Sequence, residues 1–257
     1  MKLVKSSILL LYLMSFSSMA LELELDKSVY FFDSSSSKNS IKVNNPGTEI
    51  TLGTVYLYDG KITGKGGVEF EYGYESNKID IFPKEFIISP GIESWVDLYH
   101  LVQEELKECY FRIRIVPESA SEALRNNPEL AHLFSFKQLN NIEKLGDVSG
   151  KVSLGIGMGS IVILQNFEKL DSSKIHVEHL KNERILVIKN IGELTYKMEN
   201  VLLSDKNGRT SYLPDMIVKP GDRKELNLSI LDLKVDEHDL NQFVFTIQNN
   251  KEKKINF

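Results

Sequence analysis

The chain has 257 residues, 42% of them hydrophobic and 26% charged, with a formal charge of -5 and a single cysteine, Cys109. A well-mixed acidic surface argues against nucleic acid as a partner, and one thiol excludes an intramolecular disulfide. Cys109 lies in an apolar run beside Tyr110 and Phe111, which reads as a buried, inert thiol rather than a nucleophile.

Residues 1–20 read as a cleaved secretory signal. Lys2 and Lys5 form a basic start, Ile8 to Met14 an apolar core, and Ser18-Met19-Ala20 the small-x-small pattern of a cleavage site. The apolar run falls short of the ~20 residues that a spanning helix needs. Cleavage after Ala20 leaves 237 of the 257 residues, and losing two lysines and no acid moves the formal charge from -5 to -7. No later segment is apolar enough to span, so the mature chain reads as soluble and exported.

From there, period-two alternation dominates. Leu21, Leu23 and Leu25 alternate with acids, and Val29 and Phe31 continue an edge-like strand into the Ser34–Ser37 turn. A domain-length repeat follows. Ile41-Lys42-Val43-Asn44-Asn45-Pro46-Gly47, leading to Val55-Tyr56-Leu57-Tyr58-Asp59, is answered by Leu186-Val187-Ile188-Lys189-Asn190-Ile191-Gly192, leading to Val201-Leu202-Leu203-Ser204-Asp205. Phe82-Pro83, running to Ser89-Pro90-Gly91, is answered by Leu213-Pro214, running to Lys219-Pro220-Gly221. Short alternating strands between Gly, Pro, Asn and Asp predict sandwiches, and the repeat predicts two of them, each immunoglobulin-like.

Phe111, Ile113 and Ile115 alternate with Arg112 and Arg114, a half-buried strand with a basic outer face. Pro117 to Gly150 breaks the rhythm. It is polar and partly helical in pattern, with Ser119 and Glu122 spaced as a capping box and Asn127-Pro128 interrupting any helix, and it reads as a long mobile loop. Next, Val152, Leu154, Ile156 and Met158 lie on one face of an extended chain, with Ser153, Gly155, Gly157 and Gly159 on the other. A sandwich core would account for the apolar face equally well. The loop just before it tips the reading toward a strand offered to another molecule.

Other signals carry little chemistry. Gly155-Ile156-Gly157-Met158-Gly159 lacks the third glycine of a dinucleotide fingerprint, since Ser160 holds that place and Ile161 to Leu164 continue as strand. His176 and His179 sit in a strand pattern with no third metal ligand, so they read as solvated. No nucleophile elbow or zinc-protease motif is present, and the tail Lys251-Glu252-Lys253-Lys254 reads as a solvated terminus.

Taken in order, these segments resemble the periplasmic pilus-assembly chaperones of the chaperone–usher pathway, and most closely the alternative subgroup serving common-pilus and alpha-type fimbriae. The resemblance covers about residues 21–257. It rests on Leu25 to Asp33, Pro83 with Pro90-Gly91, Tyr110 to Pro117, the Gly-rich strand 152–163, Asn190-Ile191-Gly192 and Pro220-Gly221. It implies an all-β fold of two tandem immunoglobulin-like β-sandwich domains in a boomerang arrangement. The first would be residues 21–165, with a long loop at 117–150, and the second 166–257.

The activity implied is donor-strand complementation, not enzymatic catalysis: a strand is lent to a pilin subunit whose own sandwich lacks one. Val152, Leu154, Ile156 and Met158 would fill the subunit's groove. The family holds the subunit's C-terminal carboxylate with two basic residues, one on the first strand and one late on the donor strand. This sequence departs from that pattern, having Ile161, Val162 and Ile163 late on the strand and Val29 where the first base is expected. Arg112, then Arg114, and Lys27 are the candidate anchors; the alternative is that both arginines are solvated on an outer face. The partners implied are pilin subunits and an outer-membrane usher, in the periplasm of a Gram-negative bacterium. No cofactor, metal or nucleic acid is implied, and an exposed apolar edge would permit self-association of the free protein. The rival reading is a secreted two-domain adhesin or binding module, in which the 152–158 face would stay buried in its own core.

Overall fold

The computed structural model describes residues 20, 21, 23–63, 67–71, 76, 78–101, 108–146, 154, 155 and 157–257. The signal segment up to residue 19, residues 147–150 of the long loop, and Val152 and Ile156 of the apolar strand lie outside the described residues.

The first part of the chain runs through β1 (Ala20–Leu21), β2 (Glu24–Leu25), β3 (Val29–Asp33), β4 (Lys38–Asn44), β5 (Thr51–Ile62) and β6 (Val68–Phe70). It continues with β7 (Ile79–Phe82), β8 (Glu85–Ile88), β9 (Glu93–His100), β10 (Glu108–Ser119), β11 (Leu154–Gly155) and β12 (Met158–Gln165). One sheet has the order β3-β12-β10-β5-β6, with β8 also on β5, and the facing sheet has the order β2-β4-β9-β7. Strand alternation explains the core between them. Ile41, Val43, Val96 and Leu98 point inward from the smaller sheet, and Phe111, Ile113, Ile115, Val162 and Leu164 from the larger.

The second part comprises β13 (Ile175–Leu180), β14 (Ile185–Asn190), β15 (Tyr196–Asp205), β16 (Thr210–Tyr212), β17 (Met216–Val218), β18 (Arg223–Asn227), β19 (Leu240–Thr246) and β20 (Glu252–Asn256). Its sheets run β13-β14-β18 and β16-β15-β19-β20, with β17 on β15. They enclose a separate core that includes Leu186, Ile188, Tyr196, Met198, Phe243 and Phe245. The molecule is thus two immunoglobulin-like sandwiches in tandem.

The sequence repeat is a repeated buried knot. Asn45 Nδ2 donates to Glu49 O at 2.8 Å and Ile88 O at 3.0 Å, its Oδ1 accepts from Gly47 N, and its carbonyl accepts from Gly91 N. Asn190 Nδ2 donates to Leu194 O at 2.8 Å and Val218 O at 2.9 Å, its Oδ1 accepts from Gly192 N, and its carbonyl accepts from Gly221 N. In each case one buried amide ties together two stretches of chain through their backbone carbonyls. The Pro-Gly turns close it, with Gly91 at φ 69° and Gly221 at φ 77°, where a side chain would strain the backbone.

Two expectations are corrected. The partly helical pattern of the segment is realised, but residues 117–146 are not one long loop: β10 continues to Ser119, and helices follow at Ala120–Asn126, Pro128–Leu133 and Phe136–Gly146. They fold because Ala120, Phe134 and Ile142 form a small core with Ile50, which lies outside the segment. The Asn127-Pro128 break does separate two helices, with Asn127 Oδ1 accepting from Glu129 N. Ser119 stands at the N-cap position but forms no capping box; its hydroxyl bonds Ser121 Oγ at 2.7 Å instead. The C-terminal segment Glu252 to Asn256 pairs with β19, and Lys251, Glu252 and Lys254 are exposed, as a solvated terminus would be. Cys109 is half-buried against the first core, and burial pushes its thiol up. No helix among the described residues is long and apolar enough to cross a membrane.

Candidate functional site

β12 is held antiparallel by β10 along its whole length, with Ile115 opposite Met158 and Glu108 opposite Gln165. On its other edge β3 runs parallel, but only from Ile161 opposite Val29 onward. That ladder starts where Ile161 N donates to Ser28 O and the Ser160 hydroxyl donates to Lys27 O. Further back, Leu154–Gly155 pairs in parallel with Ala20–Leu21. Among the described residues, Gly157 to Gly159 have no strand on this edge.

Alternation places Met158, Ser160, Val162 and Leu164 on the core side. Val162 and Leu164 are wholly buried, yet Met158 is 39% exposed. The strand's inward row therefore emerges from its own core at Met158. Leu154 is placed as strand. Of the four expected groove-filling residues, Met158 is the one whose surroundings are described.

The opposite face belongs to the arginines. Phe111, Ile113 and Ile115 are inward, so Tyr110, Arg112 and Arg114 share the outer face. In register, Arg112 lies between Tyr58 and Ile161, and Arg114 between Tyr56 and Gly159. The Tyr56 and Tyr58 rings stack at 6.5 Å, and Tyr56 is 45% exposed. Both guanidinium groups reach back over β12: Arg114 lies against Gly157 and Arg112 against Gly159. Lys27 is engaged elsewhere, with its ammonium 5.9 Å from the ring centroid of the core-facing Tyr30.

Tyr110 shows what this face looks toward. Its hydroxyl contacts both Thr195 Oγ1, in the second sandwich, and the Glu108 carboxylate. Glu108 also accepts from Thr195 N at 2.5 Å and from Thr195 Oγ1 at 2.9 Å. The Thr195 carbonyl accepts from Gln165 Nε2 at 3.1 Å and Gln248 Nε2 at 2.9 Å. Thr195 is wholly buried in this joint. Burial pushes the Glu108 carboxyl above its ordinary range against the opposing pull of its hydrogen bonds, and burial and the neighbouring carboxylate push the Tyr110 phenol up as well. Arg112 and Arg114 thus stand roughly 7 and 13 Å along β10 from a residue in direct contact with the second sandwich, on the face turned toward it.

Sequence reasoning missed Tyr56 and Tyr58, the arginine-on-glycine contacts and the Glu108–Thr195 joint. The alternation Val55-Tyr56-Leu57-Tyr58 carried a signal for the tyrosines. The joint had none, since its partners lie 87 residues apart. His176 and His179 are three residues apart in a strand and so face opposite ways, with the His179 ring 5.6 Å from that of Phe257. No group of three or more His, Cys, Asp or Glu among the described residues is arranged to hold a metal ion.

No protein-family model matches the chain, and no curated protein matches it in sequence. Solved structures do. The class 5 fimbriae chaperone CfaA aligns with a TM-score of 0.51 at 9% identity, covering 91% of this chain and 98% of its own. The Escherichia coli chaperone DraB aligns at 0.49 with 11% identity, covering 93% and 98%. The Pseudomonas aeruginosa CupB2 chaperone aligns at 0.46 with 10% identity, covering 90% and 98%. At these identities the likeness is one of fold, and it runs through both sandwiches.

Proposed function

We propose that a chain with the fold of the fimbrial chaperones does their kind of work. It would bind pilin subunits in the periplasm of a Gram-negative bacterium by donor-strand complementation, and pass them to an outer-membrane usher. The observation that carries this reading is β12, whose inward row leaves its own core at Met158 while, among the described residues, one backbone edge has no strand partner at Gly157 to Gly159. A subunit lacking a strand would extend this edge by its own ladder and take Val152, Leu154, Ile156 and Met158 into its groove. Each large aliphatic side chain so buried contributes about 1.5–3 kcal/mol before ordering costs.

The subunit's C-terminal carboxylate would meet Arg112, with Arg114 beside it, on the face turned toward the second sandwich. A desolvated carboxylate needs a charged or multi-donor partner, and a guanidinium supplies two parallel N–H donors. Lys27 is the weaker candidate, because its ammonium is engaged over the Tyr30 ring. Residues 21–165 and 166–257 would be the two domains of the mature chaperone after removal of residues 1–20. Co-expression with a cognate pilin should yield a one-to-one complex that Leu154→Asp and Ile156→Asp abolish without unfolding the chaperone. A complex that survives both substitutions overturns the strand assignment.

A second reading has one observation behind it. Phe82, Trp95 and Tyr99 are exposed on the outer face of the smaller sheet, Trp95 at 55%, as an adhesin's binding face would be. If that face is the site, Trp95→Ala removes ligand binding and the β12 variants leave it intact.

A further inference from the structure

We infer that Gly157 is a positioning residue: it leaves the outer face bare at the start of β12 so that the guanidinium group of Arg114 can lie across it, beside that of Arg112 over Gly159. β12 thereby carries positive charge that its own sequence lacks. The inference deepens the proposed function and rests on it for the identity of the ligand, a subunit carboxylate.

The argument begins with space. A β-carbon added at Gly157 would stand 2.9 Å from Arg114 Nε and 3.3 Å from one of its terminal nitrogens, closer than side chains pack. One added at Gly159 would stand 3.5 Å from Arg112 Nε, 3.7 Å from a terminal nitrogen and 3.3 Å from Ile113 O. Glycine in a strand costs stability and commonly marks a close approach by another group. At Gly157 the approaching group is a cation from the next strand, which takes the volume a side chain would fill; at Gly159 the tight neighbour is the Ile113 carbonyl, and Arg112 lies at ordinary packing distance. Both arginines lie on the same face of β10 as Tyr110.

This arrangement resolves the departure noted in the sequence. Late on β12, where a basic side chain is expected, stand Ile161, Val162 and Ile163. The charge arrives from β10 instead, and Gly157 admits it. Strand donation and anion binding are then coupled, because the strand that enters the guest is the one on which both arginines rest. Arg112 is placed for the terminal carboxylate, and Arg114, one residue pair further out, for an acidic side chain or carbonyl near the guest's C-terminus.

Gly157→Ala is the discriminating variant. Its methyl meets the mobile end of a side chain rather than backbone, so the fold persists and the guanidinium moves. In the free protein, contacts between the Arg114 Nε–H and the Gly157–Met158 backbone are expected in nuclear Overhauser spectra and should vanish in Gly157→Ala at an unchanged urea midpoint. With a cognate subunit, Gly157→Ala should weaken binding about tenfold, the loss of one charge-assisted contact, and should cost nothing further in an Arg114→Gln background. Gly159→Ala leaves ordinary packing distances to Arg112 but presses on the Ile113 carbonyl, so any loss it causes should be unchanged in an Arg112→Gln background. The same loss with and without Arg114 would assign the glycine to strand geometry and overturn the inference, as would persistence of the Arg114 contacts in Gly157→Ala. If the wild-type chain captures no subunit, the chaperone reading fails, and the spectra of the free protein still decide whether Gly157 seats Arg114.

Discussion

In the first sandwich the last strand, β12, lies antiparallel on β10 and carries no charged residue from Met158 through Gln165. Its counterpart in the second sandwich, β20, lies antiparallel on β19 and reads Glu252-Lys253-Lys254-Ile255-Asn256. Both are final strands laid on a long partner; β20 is an edge strand throughout, whereas β12 is open on its second edge only before Ile161, where the β3 ladder begins. Charge on an edge strand keeps other chains from pairing with it, and an apolar edge invites them. The internal frameworks meanwhile are alike, down to Asn45 and Asn190 and the Pro-Gly turns that close on them. The comparison teaches that the shared chemistry holds each sandwich together, while the proposed strand donation would draw on what the first has and the second lacks: the apolar β12, the arginine face and the helical insertion.

The sharpest way to break this comparison is along β12 itself. Val162→Asp should unfold the first sandwich, since a buried unpaired carboxylate costs about 4 kcal/mol or more. Met158→Asp, four residues earlier on the same face but part-exposed, should change stability by less than about 0.5 kcal/mol while abolishing subunit capture. Urea denaturation and a native complex assay read the two; equal destabilisation would mean that the inward row never leaves its core.

Next in size are the twin knots. Asn45→Ala and Asn190→Ala each remove an amide that donates to two backbone carbonyls, at about 1–3 kcal/mol apiece. Each should lower the unfolding transition of its own sandwich, seen by hydrogen exchange on the two cores; an unequal pair would show that one has become ornamental.

The joint offers a smaller effect with a definite sign. Burial raises the Glu108 carboxyl, so the closed joint binds this proton more tightly than the opened or unfolded chain does. Its contribution is fully present below the ordinary glutamate value and is lost as pH rises through the raised one. The stability of Glu108→Gln relative to wild type should therefore climb with pH from about 4.5 upward, by at most about 1.4 kcal/mol per pH unit. A flat difference between pH 4.5 and 7 would remove Glu108 from the joint's titration.

The least effect on stability is expected at β20. Lys253→Val with Lys254→Val should stay within about 0.5 kcal/mol of wild type but promote self-association in sedimentation, giving the second edge the character of the first.

Much of this could be read from residue order. The Asn-x-Gly and Pro-Gly echoes marked the knots because a repeated turn needs the same few residues wherever it occurs. The alternation from Phe111 to Ile115 marked β10 because a strand's two faces are written in its own sequence. The helical insertion was legible only in part: its apolar residues are sparse, and Ala120, Phe134 and Ile142 make a core only with Ile50, brought in from before β5.

Composition, strand periodicity and the duplicated turns determined by themselves that this is an all-β protein of two like halves, because those features depend on neighbours in the chain. Which arginine lies on which glycine, that Glu108 meets Thr195, and that Met158 clears its own core were decided only by the pairing register and the docking of the two sandwiches. Such contacts join residues far apart along the chain, and no local pattern encodes the distance between them.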